Sequence, residues 1–147
     1  MFLDSLMLLD DAHAYSATAF STNTIDLGNV TPKRDIGIGE GLEIVSTVDV
    51  AADSTTGNET YQFDFVQSAN ADLTSPDVLA SRIITAANLT AGKVVHLPVP
   101  ADAITKRYIG LQMTLGGTTP TITLTSFLQP QSMTDARKDY AKGYTIS

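Results

Sequence analysis

Residues 34–50, "RDIGIGEGLEIVSTVDV", decide the fold. Gly37, Gly39 and Gly41 stand at alternate positions, and then Leu42, Ile44, Val48 and Val50 alternate with Glu43, Thr47 and Asp49. A dinucleotide loop needs Gly-x-Gly-x-x-Gly between a strand and a helix N-terminus, where the bare backbone approaches a pyrophosphate. The spacing here is Gly-x-Gly-x-Gly, no Gly-Lys-Ser/Thr follows, and the next nine residues have period two rather than 3.6. The stretch therefore reads as a turn entering a strand, its glycines permitting positive φ or close packing.

The same period recurs along the chain. "TYQFDFVQ" sets Tyr61, Phe63 and Phe65 on one face, and "KRYIGLQMTL" does so with Ile109, Leu111, Met113 and Leu115. "TPTITLTSFLQ" opposes Ile122 and Leu124 to Thr121, Thr123 and Thr125. Successive side chains of a strand point to opposite faces, so this alternation marks strands buried on one side. "TNTIDLG", "VLASRII" and "GKVVHLPVP" read as further strands, and turn residues such as Asp53–Asn58, Ala91-Gly92 and Gly116-Gly117 separate the runs. Ser75-Pro76-Asp77 is the one helix-start signal, worth a single turn. The expectation is an all-β chain: a jelly-roll or β-sandwich of about eight short antiparallel strands with extended N- and C-terminal arms. The domain spans 13–130, with arms at 1–12 and 131–147 where neither period holds.

Composition narrows the function. The 147 residues are 43% hydrophobic and 17% charged, as in a folded domain, and contain no cysteine. Disulfides, thiolate metal sites and cysteine nucleophiles are thereby excluded. The net charge of −7 argues against nucleic-acid binding, since a phosphate backbone repels it. Residues 1–80 hold thirteen acids and two bases, whereas 81–147 hold seven bases and three acids. Interleaving of strands from the two halves is expected to mix these charges. No apolar run approaches the ~20 residues of a membrane span, and "MFLDSLMLLDDAHA" lacks the basic start of a signal peptide.

Candidate chemistry is sparse. His13 and His96 stand far apart, without the His-x-His of a cupin or the clustered carboxylates of a metal centre. Asp10-Asp11 is a carboxylate pair of the kind usually solvated. Asn29, Asn58 and Asn88 open Asn-x-Ser/Thr triplets of the sort a threonine-rich chain produces by chance. The reading is of no enzyme, no catalytic residue, no cofactor and no metal.

Three stretches carry a resemblance: Asp11-Ala12-x-Ala14, then Ser21-Thr22-Asn23-x-Ile25-Asp26-Leu27-Gly28, then Arg34-Asp35-Ile36-Gly37-x-Gly39-Glu40. With "RYIGLQMTL" and the ending "YAKGYTIS", the chain resembles the capsid cement (decoration) proteins of short-tailed bacteriophages, typified by the Bordetella phage cement protein. It departs from that pattern at Gly41, where the family often has proline. The resemblance implies a jelly roll on the outer surface of an icosahedral head in the virion, bridging neighbouring major capsid subunits. Its partners would be the major capsid protein and itself, as a homodimer first and a homotrimer second, with no nucleic acid or membrane partner. The arms hold apolar side chains outside the strand pattern, so Phe2, Leu3, Leu6, Met7, Tyr140 and Tyr144 are the expected interface residues. The alternative is a carbohydrate-binding jelly-roll module, which the absence of tryptophan disfavours.

Overall fold

The computed structural model describes residues 5–29 and 41–131. Nine strands run through them: β1 (Leu8–Tyr15), β2 (Ala19–Phe20), β3 (Ile25–Asp26), β4 (Leu42–Val50), β5 (Thr60–Ser68), β6 (Asp77–Thr85), β7 (Val94–Val99), β8 (Tyr108–Gly116) and β9 (Ile122–Pro130). Of the stretch at 34–50, residues 34–40, Gly37 and Gly39 among them, lie outside the described residues. Gly41 leads directly into β4, and its carbonyl accepts the Gln131 N–H at 2.7 Å, so the backbone there continues a sheet and opens no helix.

All pairings are antiparallel and fall into two sheets, ordered β1-β9-β4-β7 and β2-β8-β5-β6, with β3 also on β8. The pairings nest. First meets last (β1 with β9), β2 and β3 meet β8, β4 meets β7, and β5 meets β6. This is one long hairpin with its tip between β5 and β6, rolled so that alternate pairs fall in opposite sheets, which is the strand order of a jelly roll. Each sheet mixes strands from both halves of the chain, so the acidic and basic halves are interleaved rather than segregated.

The core lies between the sheets. Tyr61, Phe63 and Phe65 of β5 and Ile109, Leu111 and Met113 of β8 face Ile44 and Val48 of β4, Ile122 and Leu124 of β9, and Val95 and Leu97 of β7. Each such side chain contributes about 1.5–3 kcal/mol relative to exposure. Two serines share this inner face, Ser46 and Ser126, and their hydroxyls satisfy each other at 2.8 Å. The Tyr61 hydroxyl donates to the Asp53 carbonyl at 2.8 Å and accepts the Thr121 N–H, pinning the loop before β5 to the start of β9. Gly117 turns β8 into β9 at φ +93°, where a Cβ would stand 2.4 Å from the Asn58 carbonyl oxygen. The Asn58 side chain bonds the Thr118 N–H and hydroxyl, so the middle Asn-x-Ser/Thr triplet has its amide committed to this turn.

Four expectations need correction. Residues 8–12, placed in the N-terminal arm, form the first half of β1, and Leu9 is a core residue. Strand β1 hid because register shifts between Leu8, Asp10 and His13, with Ala12 at φ +46°, destroy its period of two. Asp10 is fully buried rather than solvated: the bulge turns it inward, where it accepts the Tyr15 hydroxyl at 2.7 Å and the Thr22 N–H at 2.8 Å. Val50 does not share the inner face, because the register shifts between Val48 and Val50 and leaves it exposed. Ser75-Pro76-Asp77 begins no helix; Ser75 has φ +52° and β6 starts at Asp77. The short 3-10 turns fall instead at Ala86–Asn88 and Ala101–Ala103.

Candidate interaction surfaces

The outer faces of the sheets carry the polar chemistry. On the five-stranded sheet, Asp64 of β5 is 2% exposed although it points away from the core. It accepts the Gln62 Nε2–H at 2.7 Å, the Ser81 hydroxyl of β6, and the Thr114 hydroxyl of β8 at 2.8 Å. One carboxylate thus ties three strands, its acceptor capacity used by donors on both neighbours. Two residues further along this face, opposite Val66, Leu73 folds down over Gly110, where a Cβ would meet its Cδ1 at 2.5 Å. Leu73 and Val66 are completely buried outside the main core. The β5–β6 loop is held there by the Ser68 hydroxyl on the Thr74 carbonyl and by Asn70 and Asp72 on Thr74.

The four-stranded sheet shows a parallel arrangement. Val45 and Phe127 are register partners on its outer side and are as buried as the core. Beside them Glu43 accepts the Gln129 Nε2–H at 3.2 Å, and His96 Nδ1 lies 3.2 Å from the other Glu43 oxygen. His13 sits on β1, its ring edge-on to Tyr15 at 4.6 Å, so the two histidines occupy opposite edges of this sheet. Among the described residues no group of three or more His, Asp and Glu converges to hold a metal ion.

A cavity of about 270 Å³ opens beside the end of β6, lined mainly by Ile83, Ile84, Ala86, Thr60 and Glu59. The Glu59 carboxylate is spent on the Thr56 and Gly57 N–H groups at 2.9 and 2.8 Å. At the opposite end of the sandwich, Arg107 grips Asp26 through two bonds of 2.7 Å and stacks on Tyr108, fixing β3 to β8. Lys106 pairs with Asp77 at 2.8 Å, and the Gln67 side chain accepts the N–H groups of Thr105 and Lys106.

Of the six expected interface residues, Phe2, Leu3, Tyr140 and Tyr144 lie outside the described residues. Leu6 and Met7 diverge. Leu6 is 74% exposed, whereas Met7 packs against the core and its carbonyl accepts the Leu128 N–H at 2.9 Å. The buried carboxylates Asp10, Glu43 and Asp64 were not legible as a class. The only hint at Asp64 was a charged residue flanked by Phe63 and Phe65 in an aromatic strand.

No helix among the described residues is long and apolar enough to cross a membrane. No curated protein matches the chain. Residues 9–127, which run from the second residue of β1 to the middle of β9, match the Bbp16 family, a family of Bordetella phage proteins. With that match covering most of the jelly roll, the chain belongs to the Bbp16 family.

Proposed function

We propose that this chain is a capsid cement protein, which binds the outside of an icosahedral phage head and bridges neighbouring major capsid subunits. The observation that carries the reading is the family match across 9–127 on a jelly roll in which the buried carboxylates among the described residues accept hydrogen bonds from the protein itself. Asp10, Asp64 and Glu59 each accept at least two donors from the protein itself, which suits a scaffold better than a reacting centre. The task is adhesion. A ligand that binds only the assembled lattice stabilises it by mass action, and a multivalent one rebinds at high effective concentration after local release. Moderate contacts repeated over the head therefore suffice, with no turnover.

On this reading the contacts fall to the chain segments 1–5 and 132–147 and to Leu6, which stands exposed beside the inward-turned Met7. The major capsid protein is the partner, the virion surface the location, and self-association into a dimer the means of bridging. Co-sedimentation with empty heads and with unassembled capsid subunits tests this. Binding to heads alone is the expected result, and deletion of residues 1–5 or 132–147 should lower it. Leu9 is a core residue, so the N-terminal deletion stops short of β1. Equal binding to free subunits, or none to heads, would refute the reading.

A further inference from the structure

A sandwich has four sheet edges, and each is an open row of backbone donors and acceptors unless something blunts it. Three are blunted here. Strand β1 carries two register shifts and Ala12 at φ +46°. Strands β2 and β3 are two residues each. Strand β7 has Pro98, which removes a donor. The fourth edge, β6, divides in two. Its first half is guarded: Asp77 is held by Lys106, and Leu79 bulges out of register between Val78, opposite Val66, and Ala80, opposite Phe65. Its second half, Ser81–Thr85, pairs regularly with β5, and among the described residues no strand hydrogen-bonds to its other side, although the Arg82 guanidinium reaches across the sandwich to donate to the His96 carbonyl of β7 at 2.9 Å. It also presents Ile83, 70% exposed and directed away from the core.

We propose that this half-edge pairs with the same segment of a second copy, antiparallel about a two-fold axis at Ile83. The two five-stranded sheets would then join into one. In this register Ile83 lies opposite Ile83 of the other copy, Ser81 opposite Thr85, and Arg82 opposite Ile84, with both members of every pair on the same face. The neighbouring registers are worse. Centring on Arg82 sets two guanidinium groups face to face, centring on Ser81 runs into the bulge at Leu79, and centring on Ile84 runs into the 3-10 turn at Ala86. Self-pairing is the occupant the chemistry favours, because an isologous contact meets its own patch and the most exposed apolar side chain of the edge then buries itself. The inference rests on the self-association in the reading above and not on head binding, which is measured separately.

The chain has no cysteine, so single thiols report the register directly. Opposed residues in antiparallel strands stand about 4.5–5.5 Å apart at Cα, inside the disulfide range. Ile83→Cys should therefore oxidise to a covalent dimer at dilute protein, while Val78→Cys, 51% exposed on the same strand, should not. In the proposed register the two copies of residue 78 are roughly 30 Å apart at ~3.3 Å per residue. Sedimentation equilibrium of the unmodified chain should give a dimer, and Ile83→Lys a folded monomer. A monomeric parent chain, a dimer in which Ile83→Cys stays reduced, or equal cross-linking of both thiols would each overturn the proposal. Cross-linking as expected without any binding to heads would leave the strand pairing standing and sink only the cement reading.

Discussion

Replacing Asp64 tests whether a carboxylate on an outer face is there for the fold. Its three donors come from β5, β6 and β8, residues separated by up to fifty positions in the chain. A hydrogen bond to a charged acceptor contributes about 1.5–3 kcal/mol and a neutral one about 0.5–1.5. Asn keeps the shape but removes the charge, and the Thr114 hydroxyl must reverse to accept. Ser81 is exposed and Thr114 half-buried, so water partly replaces what is lost. Asp64→Asn should therefore cost about 1–2 kcal/mol and Asp64→Ala about 2–4. With an unfolding entropy of about 2.1 cal/mol/K per residue, this chain loses about 3 °C of Tm per kcal/mol. The expected drops are about 3–6 °C for Asn and about 6–12 °C for Ala, read by calorimetry, with head binding at low temperature unchanged. Asp is a poor strand former, so a merely tolerated Asp64 would leave Tm unchanged or raise it in both variants. That result, or lost head binding at full stability, would refute the structural role.

Two tyrosines give a pH signature. Burial first, then the charge of Asp10 and the bond to it, push the Tyr15 phenol far above its ordinary value. Burial also raises Tyr61; the Thr121 N–H works against this, and the Asp53 and Glu59 charges add to it. A raised folded value means that the stabilisation is complete below the unfolded value of about 10 and is withdrawn as pH climbs past it, at about 1.4 kcal/mol per pH unit for Tyr15. Phenolate absorbance should show Tyr15 ionising only with alkaline unfolding and Tyr61 ionising later than an exposed tyrosine, and complete titration of all five tyrosines of a folded chain near pH ~10.5 would contradict this. Gly117→Ala places a Cβ against the Asn58 carbonyl at positive φ and should destabilise by about 2–4 kcal/mol, whereas Gly57→Ala, with open space around it, should cost about 1–2. Equal melting of these two variants would show that the contact does not matter.

The strands with an unbroken period were legible because burial on one face leaves a pattern that needs no knowledge of partners. Strands β5, β8 and the first half of β9 are such cases, with Phe63, Leu111 and Leu124 where alternation put them. Where the chain bulges the pattern shifts by one, and so residues 8–12 read as part of an arm although Leu9 is core. Buried polar groups were invisible for another reason. Asp64 depends on Ser81 and Thr114, Glu43 on Gln129, and Asp10 on Thr22, partners that only the rolled hairpin brings together. Leu6 and Met7 read alike in sequence, yet Leu6 is exposed while Met7 packs against the core, its carbonyl bonded to β9.

The claim that the protein is a passive brace is tested most directly by heating DNA-filled heads stripped of it, with and without the purified chain added back, and following DNA release by dye fluorescence. The account predicts release at a higher temperature as occupancy rises, saturating when the lattice is filled. Full occupancy with an unchanged release temperature would contradict it.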